Sequence, residues 1–169
     1  MFSISEEARN WIFDAFAVVN DKLVWARDGS RGVKAGDEVA AFINSTGYYC
    51  VKVNTKPRKT MLLHRVKWLV AYGEYPDCDV DHINRNHLDN SLKNLRLATR
   101  SQNRMNSVKK ARDNGLPLGV YRHGDKFCSS ISKGRNRKFL GVFASPDDAH
   151  NAWLKASKDL YGDFAPCHT

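Results

Sequence analysis

Residues 78–106 read CDVDHINRNHLDNSLKNLRLATRSQNRMN, and the rest of the chain is arranged around the way this stretch folds. Val80-Asp81-His82 has the pattern of a short strand's end, residues 83–93 make a polar, asparagine-rich loop, and Leu95-Arg96-Leu97-Ala98 alternates like a returning strand. Thr99 and Gln102 stand at capping-box spacing, so Thr99 is placed to cap a helix that carries Asn103 in its first turns. Strand, loop, strand and helix in that order bring four side chains toward one point: Asp81 and His82 from the first strand, Asn94 from the start of the second, and Asn103 from the helix.

Upstream, Ser3 and Glu6 stand at capping-box spacing ahead of Ile4, Ala8, Trp11, Ile12, Ala15, Phe16 and Val19, which match one face of a helix. Lys22 to Arg27, Glu38 to Ile43 and Tyr48 to Asn54 are short segments rich in Val, Tyr and Phe between Gly and Asp residues, the pattern of an antiparallel sheet. A basic turn, Lys56-Pro57-Arg58-Lys59, leads to a predicted helix over Met61 to Tyr72, with Leu62, Val66, Leu69 and Val70 inward and Gly73 as its stop. His64 on that helix sits among apolar neighbours and is read as a hydrogen-bonded structural residue rather than a catalyst.

Downstream, Asn114-Gly115-Leu116-Pro117 is a breaker cluster that marks a boundary. Leu118 to Arg122, Lys126 to Ser132 and Arg137 to Phe143 read as three strands, and Ser145-Pro146-Asp147-Asp148 starts a helix that ends near Gly162. The helix stripe of Ala149, Ala152, Trp153, Ala156 and Leu160 would cover the sheet through Val120, Phe127, Ile131 and Leu140. Alternation then leaves Tyr121, His123, Cys128, Ser130, Ser132, Arg137 and Phe139 on the open face. The chain is thus expected to be α+β. It would have an N-terminal helix and antiparallel sheet (1–60), a central strand-loop-strand-helix region (61–113), and a C-terminal three-stranded antiparallel sheet packed on one helix (114–169).

The net charge of +9 is unevenly spread. Residues 1–50 are slightly acidic, whereas residues 85–138 carry fourteen Lys and Arg against Asp89, Asp113 and Asp125, the asymmetry of a surface that meets a polyanion. Cys50, Cys78, Cys128 and Cys167 lie far apart without a C-x-x-C pair, which speaks against a zinc clip or a dense disulfide framework. The N-terminus has no basic region followed by an apolar core, and no apolar run approaches membrane-spanning length. A cytoplasmic protein with free thiols and no membrane partner is the expectation.

The four converging side chains suit phosphodiester hydrolysis, which needs a deprotonated water and something to neutralise charge growing on the phosphate and leaving oxygen. Histidine is the side chain whose ordinary charge change falls near neutral pH, and His82 can take the proton if an acceptor holds its opposite ring N–H; the Asn94 amide carbonyl is the predicted acceptor. Asp81 and Asn103 are hard oxygen donors suited to one Mg²⁺, with Mn²⁺ able to substitute, and two protein ligands leave room for a DNA phosphate. Asn84, Asn86 and Asn90 are read as closing Asx-turns in the loop.

The segments DHINRNHLDN and NLRLATRSQN closely resemble the HNH homing endonucleases of bacteriophages, in the branch where asparagine replaces the final histidine; GYYCVKV and LHRVKW extend the resemblance over residues 46–106. The resemblance implies a ββα-metal fold with a single divalent ion and cleavage to 5′-phosphate and 3′-hydroxyl ends, in a phage protein acting in a bacterial cell. It gives His82 the role of general base, Asn94 that of its orienting partner, and Asp81 and Asn103 those of metal ligands. Arg85 departs from the glycine common in such loops.

Residues 119–164, through GVYR, KFCSSIS, RKFLGVF and the A-x-x-A-W helix, are similar to the apetala-two (ethylene-response-factor) DNA-binding domain, whose open sheet face enters the major groove. Together these imply a monomeric, site-specific endonuclease on double-stranded DNA. The alternatives are a DNA-binding regulator with an inactive nuclease unit and a nonspecific HNH nuclease. Predicted DNA contacts are Lys56, Arg58, Lys59, Arg85, Arg96, Arg100, Arg104, Lys109, Lys110, Tyr121, Arg122, Lys126, Lys133, Arg135, Arg137 and Lys138, mostly to phosphate.

Overall fold

A computed structural model of the protein describes residues 4–106 and 115–165, so the expectations for Ser3, Lys109, Lys110, Asn114 and Cys167 fall outside the described residues. Those residues form four α-helices and four small antiparallel sheets, a mixed α and β chain as expected. The chain divides into two compact units, Met1–Arg100 and Ser101–Thr169.

The first unit opens with α1 (Glu6–Ala15), where the Ser5 hydroxyl accepts the Ala8 amide at 3.4 Å and so acts as the observed N-cap. The apolar spacing predicts a helix running on to Val19, but α1 stops at Ala15 and Phe16–Val19 becomes strand β1, paired with β2 (Lys22–Trp25). Two local causes override the stripe. Val18 and Val19 are β-branched and lose rotamer freedom in a helix, and Asn20 and Asp21 both take positive φ, 48° and 61°, the requirement of a two-residue hairpin turn. Asp21 therefore sits at a hairpin tip.

A second sheet has the order β3 (Phe42–Ile43), β4 (Tyr49–Val53), β5 (Lys59–Leu62). The single N-terminal sheet expected from the sequence is thus two, and the strand expected over Glu38 to Ile43 shrinks to Phe42 and Ile43, with Glu38 making only an isolated bridge to Val24. Lys59 pairs with Val53 rather than lying in a turn, and because Met61 and Leu62 finish β5, helix α2 spans Leu63–Tyr72. It ends at Gly73, whose φ of 80° lets its amide reach Leu69 O at 2.9 Å.

Ile12, Phe16, Leu23, Val51, Val53, Val66 and Leu69 form the heart of this unit's core, with Ala8, Ala15 and Val39 between them. Each large aliphatic side chain so buried contributes about 1.5–3 kcal/mol, which makes the core a firm base for α2 and what α2 carries. Arg65 on α2 is buried too. It donates to Tyr75 Oη at 3.0 Å, Cys78 O at 2.9 Å and Pro76 O, pinning the segment that feeds the next strand. That strand is β6 (Asp79–His82), followed by a 3₁₀ turn (Leu92–Asn94) and β7 (Leu95–Ala98); helix α3 (Arg100–Asn106) comes next in the chain, in the predicted order, and from Ser101 on it belongs to the second unit.

The second unit holds a sheet of order β8 (Val120–His123), β9 (Lys126–Lys133), β10 (Asn136–Phe143), with helix α4 (Pro146–Tyr161) packed on it. The Ser145 hydroxyl accepts the Asp148 amide at 3.1 Å and Pro146 supplies the pre-set first helical position. Val120, Ser129, Ile131 and Trp153 are buried between the sheet and the helix. Gly119 has φ +82°, and a Cβ there would lie 2.0 Å from Trp153 Cδ1, so the indole needs a glycine beneath it. Register puts Cys128 opposite Tyr121 and Val142 on the open face, as alternation predicts, yet it is buried rather than exposed. Among the described residues, Cys50, Cys78 and Cys128 are free thiols, and no helix is long and apolar enough to cross a membrane.

Candidate active site

Strands β6 and β7 pair with Asp81 opposite Arg96 and His82 opposite Leu95. Asp81 and His82 are both buried. Much of the loop between the strands is held by its own side chains. Asn84 Oδ1 accepts the Asn86 amide at 2.9 Å and Asn86 Oδ1 accepts the Leu88 amide at 3.1 Å, two of the three Asx-turns expected from the sequence; the third, at Asn90, does not form, because its Oδ1 is turned to His82. Asp89 accepts the Ser91 hydroxyl at 2.7 Å and the Ser91 amide at 3.2 Å; these bonds, the hydroxyl first, hold its carboxyl below the usual carboxylate range. Arg85 takes φ 63°, so the arginine adopts the left-handed turn that a glycine would enter without strain.

Asn94 is spent on this loop. Its Oδ1 accepts the Asn84 amide at 2.9 Å, its Nδ2 donates to Asp89 O at 2.7 Å, and its backbone carbonyl accepts from Ile83 at 2.8 Å. The acceptor on the histidine is instead Asn90, whose Oδ1 lies 3.1 Å from His82 Nε2. Asn90 Nδ2 donates to Leu88 O at 3.3 Å, which assigns the amide's orientation. An amide oxygen only accepts, so this bond assigns a proton to His82 Nε2. Both asparagines follow the histidine in the same loop, and spacing alone does not separate the one that turns inward from the one that turns back.

Arg96 also departs from expectation. As a predicted DNA contact it should face solvent, but its side chain is 14% exposed and Nε donates to Asp81 Oδ2 at 2.9 Å. Cross-strand register explains this, since opposite residues share a face. The pair also bears on metal binding: Asp81 Oδ2 is taken by Arg96, and a carboxylate oxygen is the hard donor type that a divalent ion accepts. Asn103, the second predicted ligand, lies on α3 and is half-buried. Among the described residues no group of three or more His, Cys, Asp or Glu could hold a metal, so any ion here depends on amide, water or phosphate oxygens as well.

His64 is buried as expected, but among the described residues its Nδ1 has no hydrogen-bond partner. Its ring meets His82 edge-on with centroids 5.0 Å apart, and Tyr48 lies 5.9 Å from His64 and 6.2 Å from His82. Burial, with His82 and Arg65 nearby, pushes its pKa down to about 3, so it is a neutral wall against the neighbouring histidine.

Residues 61–105 match the HNH endonuclease family profile. The matched HNH segment contains α2, β6, the loop, β7 and most of α3. Over 107 residues the chain is 39% identical to a protein named as an uncharacterized HNH endonuclease of Acanthamoeba polyphaga mimivirus, covering 62% of this chain and 56% of that protein. The chain thus spans about half the length of this curated relative. No solved structure matches it.

Outside the HNH segment, Lys56, Arg58 and the paired Lys59 are exposed, as are Arg122, Lys126, Lys133, Arg135, Arg137 and Lys138 in the second unit. Tyr121 and Arg85 are half-buried, and Arg100 and Arg104 on α3 are exposed. The Arg137 guanidinium lies 5.3 Å over the Tyr121 ring and its Nε donates to Ser130 Oγ at 2.9 Å, so this arginine is held upright on the open sheet face.

Proposed function

We propose that the protein is a divalent-metal-dependent, site-specific DNA endonuclease, with the C-terminal sheet as a DNA-gripping module. The observation that carries the reading is His82 in the HNH segment, with Nε2 engaged by Asn90 Oδ1 at 3.1 Å and Asp81 beside it in the chain. His82 Nδ1 accepts a proton from water as the water oxygen attacks phosphorus. The P–O3′ bond breaks, the leaving oxygen takes a proton from solvent water, and 5′-phosphate and 3′-hydroxyl ends result. The resulting imidazolium keeps its Nε2 proton on Asn90, which holds the ring in place through the proton transfer.

By the sequence resemblance, Asp81 and Asn103 are the residues that would hold a divalent ion, Mg²⁺ or Mn²⁺, which would supply charge neutralisation for the phosphate and the leaving oxygen. Arg96 Nε, 2.9 Å from Asp81 Oδ2, orients the carboxylate before DNA arrives. The exposed Lys and Arg of the second unit bind phosphates, consistent with the local excess of positive charge. Homing is the biological setting that the sequence resemblance suggests.

Supercoiled and linear DNA incubated with Mg²⁺ tests this reading. The parent should cut a long duplex at one or few sites, and His82→Ala should still bind DNA while losing about 10²- to 10⁴-fold in rate. Equal cutting by the two proteins would remove His82 as the base. General degradation to small fragments would remove the site-specific part.

A further inference from the structure

Asn90 orients the His82 ring, and Asn90 is in turn held from outside the loop. Its backbone carbonyl accepts from Lys67 Nζ at 2.6 Å. Lys67 lies on α2 and is only 4% exposed, an unusual place for an ammonium unless every proton is bonded. Every one is. Besides Asn90 O, Nζ donates to Asp21 Oδ1 at 2.9 Å and to Asp21 O at 2.5 Å, using all three donors on oxygen.

Asp21 Oδ1 also accepts the Leu92 amide at 2.9 Å, two residues beyond Asn90. Burial pushes the Asp21 carboxyl up, but the Leu92 amide and Lys67 more than offset it and leave it below the usual range. The hairpin tip of β1–β2 therefore grips the loop at residues 90 and 92, directly and through a buried lysine.

We propose that Asp21 and Lys67 are positioning residues for His82: their ion pair clamps the backbone of Asn90, and through the Asn90 amide sets the angle of the base toward the scissile phosphate. The inference rests on His82 being the general base. The clamp reaches the histidine from α2 and from an N-terminal turn that lies outside the HNH match. Loss of the clamp leaves the loop's internal Asx-turns intact but frees Asn90 to swing, and small misplacements of a reacting group are costly to rate.

The test is a double-mutant cycle. Single-turnover cleavage with Mg²⁺ is measured at saturating protein, on a supercoiled plasmid carrying a site that the parent cuts, for the parent, Lys67→Met, His82→Ala and the double variant, with DNA affinity measured without metal. Lys67→Met should slow the chemical step about 10- to 100-fold with DNA affinity unchanged, and should cost nothing further once His82 is already alanine. A similar loss in both backgrounds, or no loss in the parent background, overturns the clamp while leaving His82 as the base. Equal cutting by His82→Ala and the parent overturns the base, and the clamp with it.

Should Lys67→Met fail to fold, Asp21→Asn decides. Asparagine tolerates the positive φ and keeps an amide oxygen but removes the charge, so a slowed chemical step that vanishes in the His82→Ala background supports the clamp, and a parent-like rate overturns it.

Discussion

The loop between β6 and β7 and the open face of the C-terminal sheet are both polar, and both carry residue types that touch nucleic acid, yet they are built in opposite ways. In the loop, Asn84, Asn86, Asp89 and Asn94 satisfy backbone groups that have no strand or helix partner, so their side chains are the structure. In the sheet, strand pairing satisfies the backbone, and Arg122, Lys126, Arg137 and Lys138 stand on a frame already complete without them. Polar character therefore means architecture in one region and a surface for binding in the other.

The sharpest way to probe the sheet's self-sufficiency is beneath it. Gly119→Ala should destabilise the second unit by about 3 kcal/mol, because a left-handed Ala is strained and its methyl would displace Trp153. Thermal unfolding followed by the tryptophan fluorescence of that unit would show it, and an unchanged midpoint would mean the indole packs elsewhere.

Asn94→Ala probes the loop's dependence on side chains. It strands the Asn84 amide and the Asp89 carbonyl, and should cost about 2 kcal/mol in urea unfolding. A loss no larger than that of a surface substitution would erase the contrast between the two regions.

His64 sharpens the comparison through pH. Its pKa of about 3 in the fold lies below the 6.5 of an unfolded chain. The unfolded state therefore binds a proton that the folded state refuses, and the stability gained by excluding it is complete above pH 6.5. It should decline by about 1.4 kcal/mol per pH unit as the pH falls from there toward 3. Urea midpoints at pH 7, 6 and 5 should show a steeper fall for the parent than for His64→Phe; parallel slopes would contradict the neutral, buried imidazole.

The smallest stability effect belongs to the open sheet face. Arg137→Ala should leave the unfolding free energy within about 0.5 kcal/mol of the parent, while lowering the slope of log DNA affinity against log salt by about one unit. A large stability loss there would make the sheet face resemble the loop.

Much of this architecture was legible in the chain. The stop at Gly73, the Ser145-Pro146 start and the strand, loop, strand, helix order around residues 79–106 all appear because caps, breakers and periodicity act over a few residues. The helix expected to reach Val19 failed at a competition the stripe does not reveal: Phe16-Ala17-Val18-Val19 fits a helix face and a strand equally, and the Asn20-Asp21 turn decided for the strand. Among the candidate site residues, Asp81, His82, Asn94 and Asn103 were picked out as polar groups around one motif, but not who bonds to whom.

The sequence by itself determined which local elements form and which side chains have the chemistry for phosphate and proton transfer, because those follow from residue type and short spacing. Only the tertiary structure decided that Asn90 rather than Asn94 meets His82, that Arg96 turns onto Asp81, and that Lys67 and Asp21 grip the loop. A loop with many asparagines offers many equivalent acceptors, and which one is used depends on where a helix and a hairpin distant in sequence bring their donors.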